Sequence, residues 1–293
     1  MAGGGAGGLI FSPVIQALLS AVGGRWTLRI YAAFNLAAGL PIAWAVPRSR
    51  FATASGAGTT TSAAEGTAER PNTHVSRALA TRATFLFSAV AAFLQAAGAQ
   101  LPLSFIPSYT AVLGLGAARG ATLLAASNAV NAVSRVLTGY AGDRLGRQNT
   151  LVLTLLLAAA SVFALWLSSA LSGTTAAVDG ESPSSSSASL WFAFIALYSV
   201  SAGGYYALFP ALIAEVFGIR QYAAVNAFIL FVRGLGTMFG SPVGGQLLGS
   251  SDQGTSAYTS VVYWDGALLM GATACCVGVR WADGKGKGWK WIA

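Results

Sequence analysis

Asn128, Asn131, Arg135 and Thr138 fall at i, i+3, i+7 and i+10, the spacing that places residues on one face of a 3.6-residue helix. The stretch around them, Gly120 to Tyr140, is otherwise mainly apolar. Arginine keeps its charge and presents a planar fork of donors that matches a carboxylate. Two roles fit such a residue. It faces an anion, or it is a structural arginine held by helix-end carbonyls or a polar neighbour. An ionisable group in the middle of an apolar segment usually faces a cavity or a partner, which favours the first.

Other residues repeat the pattern more weakly. Asn226 and Arg233 share a face at i, i+7, and the run that follows, "GLGTMFGSPVGG", holds small residues spaced by four. No strand precedes that run, so it reads as close helix packing rather than a nucleotide-binding loop. Gln95, Pro102 and Tyr109 line up at i, i+7 and i+14, a cavity face with a proline kink. Tyr198 and Tyr205 are spaced in the same way, and aromatic or amide groups at such spacing serve packing as often as ligand contact. A last cluster is "GYAGDRLGRQNTL", which gathers Asp143, Arg144 and Arg147 between two apolar stretches with glycines on either side.

These residues sit in a chain with few charges. Of 293 residues, 55% are hydrophobic and 9% charged, where a soluble domain carries about a quarter charged residues. Mean hydropathy is +0.62, so lipid is the expected solvent. The net charge of +8 comes from basic residues at the edges of apolar runs, not from a stripe that could track nucleic acid, and no nucleic-acid partner is expected. Cys275 and Cys276 are adjacent in an apolar run and read as helix fillers, and His74 lies in a polar connector.

That inventory excludes the usual intramembrane enzymes, and no catalytic residue is assigned. A serine–histidine pair within the membrane is missing, no metal-ligand cluster is visible, and no cofactor is implied. An aspartyl pair is missing too, since Asp143 sits at a helix end and Asp265 has no visible acidic partner.

The elements that position these groups are apolar runs of roughly 20 residues, enough to cross a bilayer as helices. Candidate spans are Ala2 to Val22, Leu28 to Val46, Thr84 to Tyr109 and Gly120 to Tyr140, then Thr150 to Leu171, Leu190 to Ile213, Tyr222 to Leu248 and Thr259 to Val279. The expected fold is all-α, a polytopic transmembrane bundle of about eight spans. Residues 1–46 hold two helices, 47–82 a flexible linker, 83–283 a six-helix unit and 284–293 a basic tail. With the arginine-rich linker in the cytoplasm, the basic loops gather inside, the serine-rich segment 172–189 falls outside, and both termini are cytoplasmic. The start, "MAGGGAGGLIFSPVIQALL", enters an apolar span almost at once, so the chain either begins abruptly or begins inside something larger.

Gly139, Asp143, Arg144, Gly146 and Arg147 resemble the G-x-x-x-D-[RK]-x-G-[RK]-[RK] motif of the major facilitator superfamily, with Gln148 departing from the final basic position. In that family the motif lies in the cytoplasmic loop between the second and third helices of each six-helix half. "SPVIQALLSAVGGRWTLRI" and "FPALIAEVFGIRQYAAVNAFILFVRGLGTMFGSPVGGQLL" are similar to the fifth-to-sixth and tenth-to-eleventh helix regions of its monocarboxylate-transporter-like branch, especially the fungal members.

The resemblance implies a partial fold, helices five to twelve, with helices one to four absent. It implies transport by alternating access, with the motif as a conformational latch. Gly139 and Gly142 would allow close helix approach and Gly146 a tight turn. Asp143 would meet the N-terminus of a neighbouring helix, and the latch partner would be Ala2 to Gly8.

Animal members carry an aspartate and, four residues on, an arginine in the eighth helix; Arg135 matches the arginine, while Asn131 replaces the acid. That loss weakens the case for proton coupling there and leaves anion binding intact. The expected function is movement of a small organic anion or secondary metabolite across the plasma membrane, with Arg135, Asn131 and Asn128 at the anchor. The alternatives are an exporter of bulky apolar metabolites and a non-transporting, truncated partner of a full-length transporter. A homodimer or a partner subunit could supply the missing wall of the site.

Overall fold

The computed structural model describes residues 3–45, 75–178, 185–248 and 254–287. The chain falls into two compact units, residues 13–70 and residues 1–12 with 71–293. Gly3–Ala45 (α1) covers the first two expected spans. They meet at Gly23, whose backbone (φ 75°, ψ 165°) interrupts the helix, instead of across a loop of several residues. This left-handed conformation is open to glycine at little cost.

The larger unit contains a six-helix bundle. A single turn, Arg77–Ala80 (α2), occupies the end of the expected linker, capped by Ser76 and anchored by buried Leu79; His74 and the rest of the linker lie outside the described residues. The third span is two helices, Ala83–Ala99 (α3) and Leu101–Val112 (α4). The expected proline kink is found here, with Pro102 in the first turn of α4, where its missing N–H leaves no orphan. Ala117–Leu145 (α5) follows. The next span combines Arg147–Ser161 (α6), a π-turn at Val162–Trp166 and Leu167–Val178 (α7). Ser185–Phe217 (α8), Ile219–Leu247 (α9), a 3₁₀ turn at Thr255–Tyr258 and Thr259–Lys287 (α10) complete it.

Five stretches among the described residues are long and apolar enough to cross a membrane: Ala83–Val112, Arg147–Ser172, Ser186–Phe217, Ile219–Leu247 and Thr255–Lys285. The 29-residue α5 is long enough but falls short in apolar content, because the asparagines and arginine of its polar stripe dilute it. Two expected connectors are partly helical. Helix α7 continues to Val178, inside the serine-rich segment, and α10 runs to Lys287, inside the expected tail. Lys285 lies 3.8 Å from the ring centroid of Trp281, one turn earlier, which supports that last stretch.

Helix α3 packs against α9 and α10, α8 packs against α5 and α6, and α6 also meets α10. The antiparallel α3–α10 pairing sets Gly98 against Leu268 and Leu269, and Gly278 against Phe87. An aromatic core holds Tyr109, Trp166, Trp191, Phe194 and Tyr258, with Tyr109 and Trp191 centroids 4.4 Å apart. A second core gathers Phe85, Leu151, Leu155, Leu208, Phe209 and Ile213.

The small residues of α9 do what their spacing predicts. Added methyl groups at Gly236 and Gly240 would run into the backbone carbonyls of Phe93 and Ala97 on α3. Gly245, on the same helix, has nothing within 4 Å of such a group. Gly240→Ala is therefore expected to destabilise by about 1–3 kcal/mol through overpacking, read as a lower thermal midpoint in detergent. Gly245→Ala should cost nothing, since alanine is the better helix former by about 1 kcal/mol. Equal midpoints for the two variants would contradict this contact.

Candidate functional site

The stripe on α5 is built against α8. Close approach requires Gly203 on α8, where a Cβ would lie 3.0 Å from the Asn131 carbonyl oxygen. Across this seam the Ser127 and Ser199 hydroxyls are 2.7 Å apart, Ser134 donates to the Val200 carbonyl, and Asn131 Nδ2 donates to the Ser199 carbonyl at 3.3 Å. Asn131 Oδ1 in turn accepts from Arg135 Nε at 3.0 Å. The asparagine thus ties the arginine to the neighbouring helix and fixes which way its fork points. Asn128 bonds back to Leu124 of its own helix at 3.1 Å.

The guanidinium of Arg135 lies 4.9 Å from the ring centroid of Tyr206 on α8. Arg233, midway along α9, approaches the same ring at 4.8 Å and that of Tyr205 at 4.9 Å. Two cations from different helices therefore converge on one aromatic side chain, each within cation–π range. Both arginines are half-buried, and no salt bridge among the described residues reaches Arg233. Such an arrangement concentrates positive potential with donors in a low-dielectric wall, which suits an anionic group.

Of the other expected site residues, Tyr205 lies at the arginines and the rest lie elsewhere. Tyr109 is fully buried in the aromatic core with its hydroxyl 3.0 Å from Ser169 Oγ, so it packs and does not line the arginine site. Tyr198 also packs, donating to the Ala99 carbonyl at 3.1 Å. Gln95 is buried, and its Oε1 has no hydrogen-bond partner. Tyr205 stacks on Phe209 at 4.5 Å beneath Arg233. Asn226 is half-buried two turns before Arg233 and enters none of these contacts. Sequence periodicity misses Tyr206, since the i, i+7 alignment selects its neighbour Tyr205. The adjacent Gly203–Gly204 pair is the one local sign that α8 is closely approached here.

The motif loop joins α5 to α6. Gly146 takes φ 91° between α5 and α6, the tight turn anticipated for it. Gly142 lies against Leu208 of α8, while among the described residues a Cβ at Gly139 would meet nothing within 4 Å. Exposed Asp143 pairs with Arg147 at 3.2 Å, one turn away, and Arg147 also lies 4.0 Å from Glu215 on α8. Among the described residues, the acid is engaged by that i, i+4 arginine. Arg144 covers its own Tyr140 ring at 5.4 Å. Gln148 is buried and donates to Asp283 on α10 at 3.0 Å, so the departure from the motif is a hydrogen-bonded interior position. The expected latch partner, Ala2 to Gly8, lies outside the described side chains.

These elements, helical throughout apart from turns among the described residues, define a multi-pass integral membrane protein. The family model described as Major Facilitator Superfamily matches residues 1–180, and the chain belongs to that superfamily. It is 27% identical over 284 residues to an MFS-type transporter of Gibberella moniliformis, covering 97% of this chain and 60% of that protein. It is 23% identical over 278 residues to the MFS transporter asaE of Aspergillus flavus, 95% of this chain and 56% of the other. The riboflavin transporter MCH5 of Saccharomyces cerevisiae is 24% identical over 186 residues, 61% of this chain and 32% of its own length. These relatives are transporters rather than enzymes, and the chain spans no more than 60% of their lengths.

If Tyr206 holds both arginines through its ring, Tyr206→Leu should destabilise the folded protein by about 1–2 kcal/mol, from two cation–π contacts of about 0.5–1 kcal/mol each. Tyr206→Phe keeps the ring and should cost less than half of that. Thermal unfolding of the two variants in detergent makes the comparison.

Proposed function

We propose that the chain forms part of a facilitator that moves a small organic anion across the plasma membrane by alternating access, with Arg135 as the anion anchor. The observation that carries this reading is the convergence of Arg135 and Arg233 on Tyr206. A monocarboxylate is the simplest solute of matching chemistry: Arg135 would take the carboxylate, Asn131 would hold the arginine in register, and Arg233 would add potential from the opposite helix. Alternating access is supported by family membership, since such transporters rock one bundle against another around a fixed mid-membrane site. The residues described on α5, α8 and α9 would form one wall of that site. A partner subunit or a second copy is a candidate for the facing wall. The cytoplasmic placement of both termini rests on the distribution of lysine and arginine alone.

A bulkier, ring-bearing solute is the second reading, favoured by the aromatic surface of Tyr206 and by a relative named as a riboflavin transporter. The two readings part at the arginine. For a small anion, Arg135→Ala should lower apparent affinity about 10- to 100-fold, the weight of a charged hydrogen bond, with Arg135→Lys intermediate. Uptake of a panel of monocarboxylates and aromatic acids into vesicles carrying the full chain provides the test. Unchanged uptake of every anion in both variants would remove Arg135 from the site.

A further inference from the structure

Asp265 enters none of the contacts of the arginine site, yet among the described residues it is the one acidic side chain that is fully buried. It stands on α10 with 0% of its surface exposed, and neither carboxyl oxygen has a hydrogen-bond partner. The wall in front of it belongs to α3, where a Cβ at position 98 would lie 3.1 Å from Oδ1. Glycine at that position leaves room for the carboxyl group and nothing more. One turn earlier on α3, buried Gln95 also presents an oxygen without a partner.

The charges around it are few. Helices α3 and α7 and the π-turn between α6 and α7 contain no charged residue, and the single charge of α6, Arg147, begins that helix at the motif loop. On α8 the titratable group close enough to interact with Asp265 is Tyr198, whose hydroxyl is already committed to the Ala99 carbonyl. The charged residue of α8 within the described span, Glu215, lies near its far end, bridged to Arg147. On α10 itself Cys275 and Cys276 follow about three turns along the helix, Arg280, Asp283 and Lys285 four turns or more, and Tyr263 is exposed. Of the other elements packed on α10, the 3₁₀ turn brings Tyr258, and α9 carries Arg220 at its start and Arg233 on the rings of Tyr205 and Tyr206.

A carboxylate enclosed without donor or counter-ion costs several kcal/mol, which a single proton removes. Such a group inside a membrane bundle marks an ion or proton route far more often than it serves packing. A second feature marks the place as able to move. The neighbouring residue, Gly266, is closely covered by the ring of Phe163 in the π-turn, and π-turns recur at functional bends of helices.

We infer that Asp265 is a buried proton-binding site of the six-helix unit, and that its proton is the ion coupled to solute movement. It rests on the transport reading for the coupling and on the bundle alone for the proton. In the closed bundle the side chain is a carboxylic acid. When α10 parts from α3 on one side, water reaches the group; the O–H bond breaks, the proton passes to water and the electron pair stays on the carboxylate. Closure then requires a proton to return.

The test uses the full chain in liposomes. Infrared spectra across a pH series should show, above about pH 6 where exposed Asp and Glu are ionised, a protonated-carboxyl stretch in the wild type that disappears as pH rises further. It should be missing in Asp265→Asn and restored in Asp265→Glu. A band that persists in Asp265→Asn, or no titrating band in the wild type, overturns the proton site. Uptake of monocarboxylates under an inward acid gradient should accumulate solute several-fold in the wild type and only to equilibrium in Asp265→Asn, while counterflow continues. Gradient-driven accumulation by Asp265→Asn overturns the coupling. If no form moves any solute, the transport reading fails by itself, and the infrared titration still decides the proton site. The wild-type titration also stands if the asparagine variant does not fold.

Discussion

Contact between helix backbones is the interaction on which the rest of this bundle depends. In lipid, apolar side chains gain little by leaving their surroundings for one another, so helices associate where small residues let their main chains meet. Here α9 lies on α3 through Gly236 and Gly240, and α5 lies on α8 through Gly203. The polar chemistry follows from these approaches. Only with α5 close to α8 can the Ser127–Ser199 and Asn131–Ser199 bonds form, and only with α9 seated on the bundle does Arg233 share a ring with Arg135. The arginine site is a by-product of main-chain proximity.

This dependence explains what could be read from the residues alone. Helices, their approximate order and the polar stripe of α5 are local properties, visible as apolar length and a 3.6-residue period. The GxxxG-like spacing of α9 is local too, and its packing role on α3 matches the reading. Tyr206 is different, because its importance is created by side chains on two other helices. The same holds for Tyr109, whose spacing suits a cavity face until Trp191 and Tyr258 close around it, at 4.4 and 4.9 Å. Asp265 reads as an isolated acid in the sequence. Its enclosure is set by Gly98, more than 160 positions away. Helix ends in the serine-rich segment and the basic tail escape composition for the opposite reason: polar residues continue a helix once its apolar part has been seated.

The amide at position 131 also decides how Arg135 is held. A carboxylate there would neutralise the guanidinium and compete with any incoming anion. The amide orients Nε at 3.0 Å and leaves the positive charge in place. Orientation and charge balance, which one acidic residue would combine, are separate tasks in this chain. That separation leaves the arginine a stronger attractor for any anion, and it requires any charge compensation to come from elsewhere in the bundle.

The π-turn at Val162–Trp166 is a matter of phase. A π-turn accommodates one residue more than the α-helical turn it replaces, and each residue of an α-helix advances about 100° around the axis. Everything after Trp166 is therefore rotated relative to what α6 alone would dictate. That offset brings Ser169 under the Tyr109 hydroxyl and lets it donate to the Ser187 carbonyl at 2.8 Å. A close relative with one residue fewer between Ser161 and Leu167 would lose this phase, and its α7 would present a different set of side chains to the aromatic core. Gaps of a single position in this segment mark changes of helix rotation, not loop length.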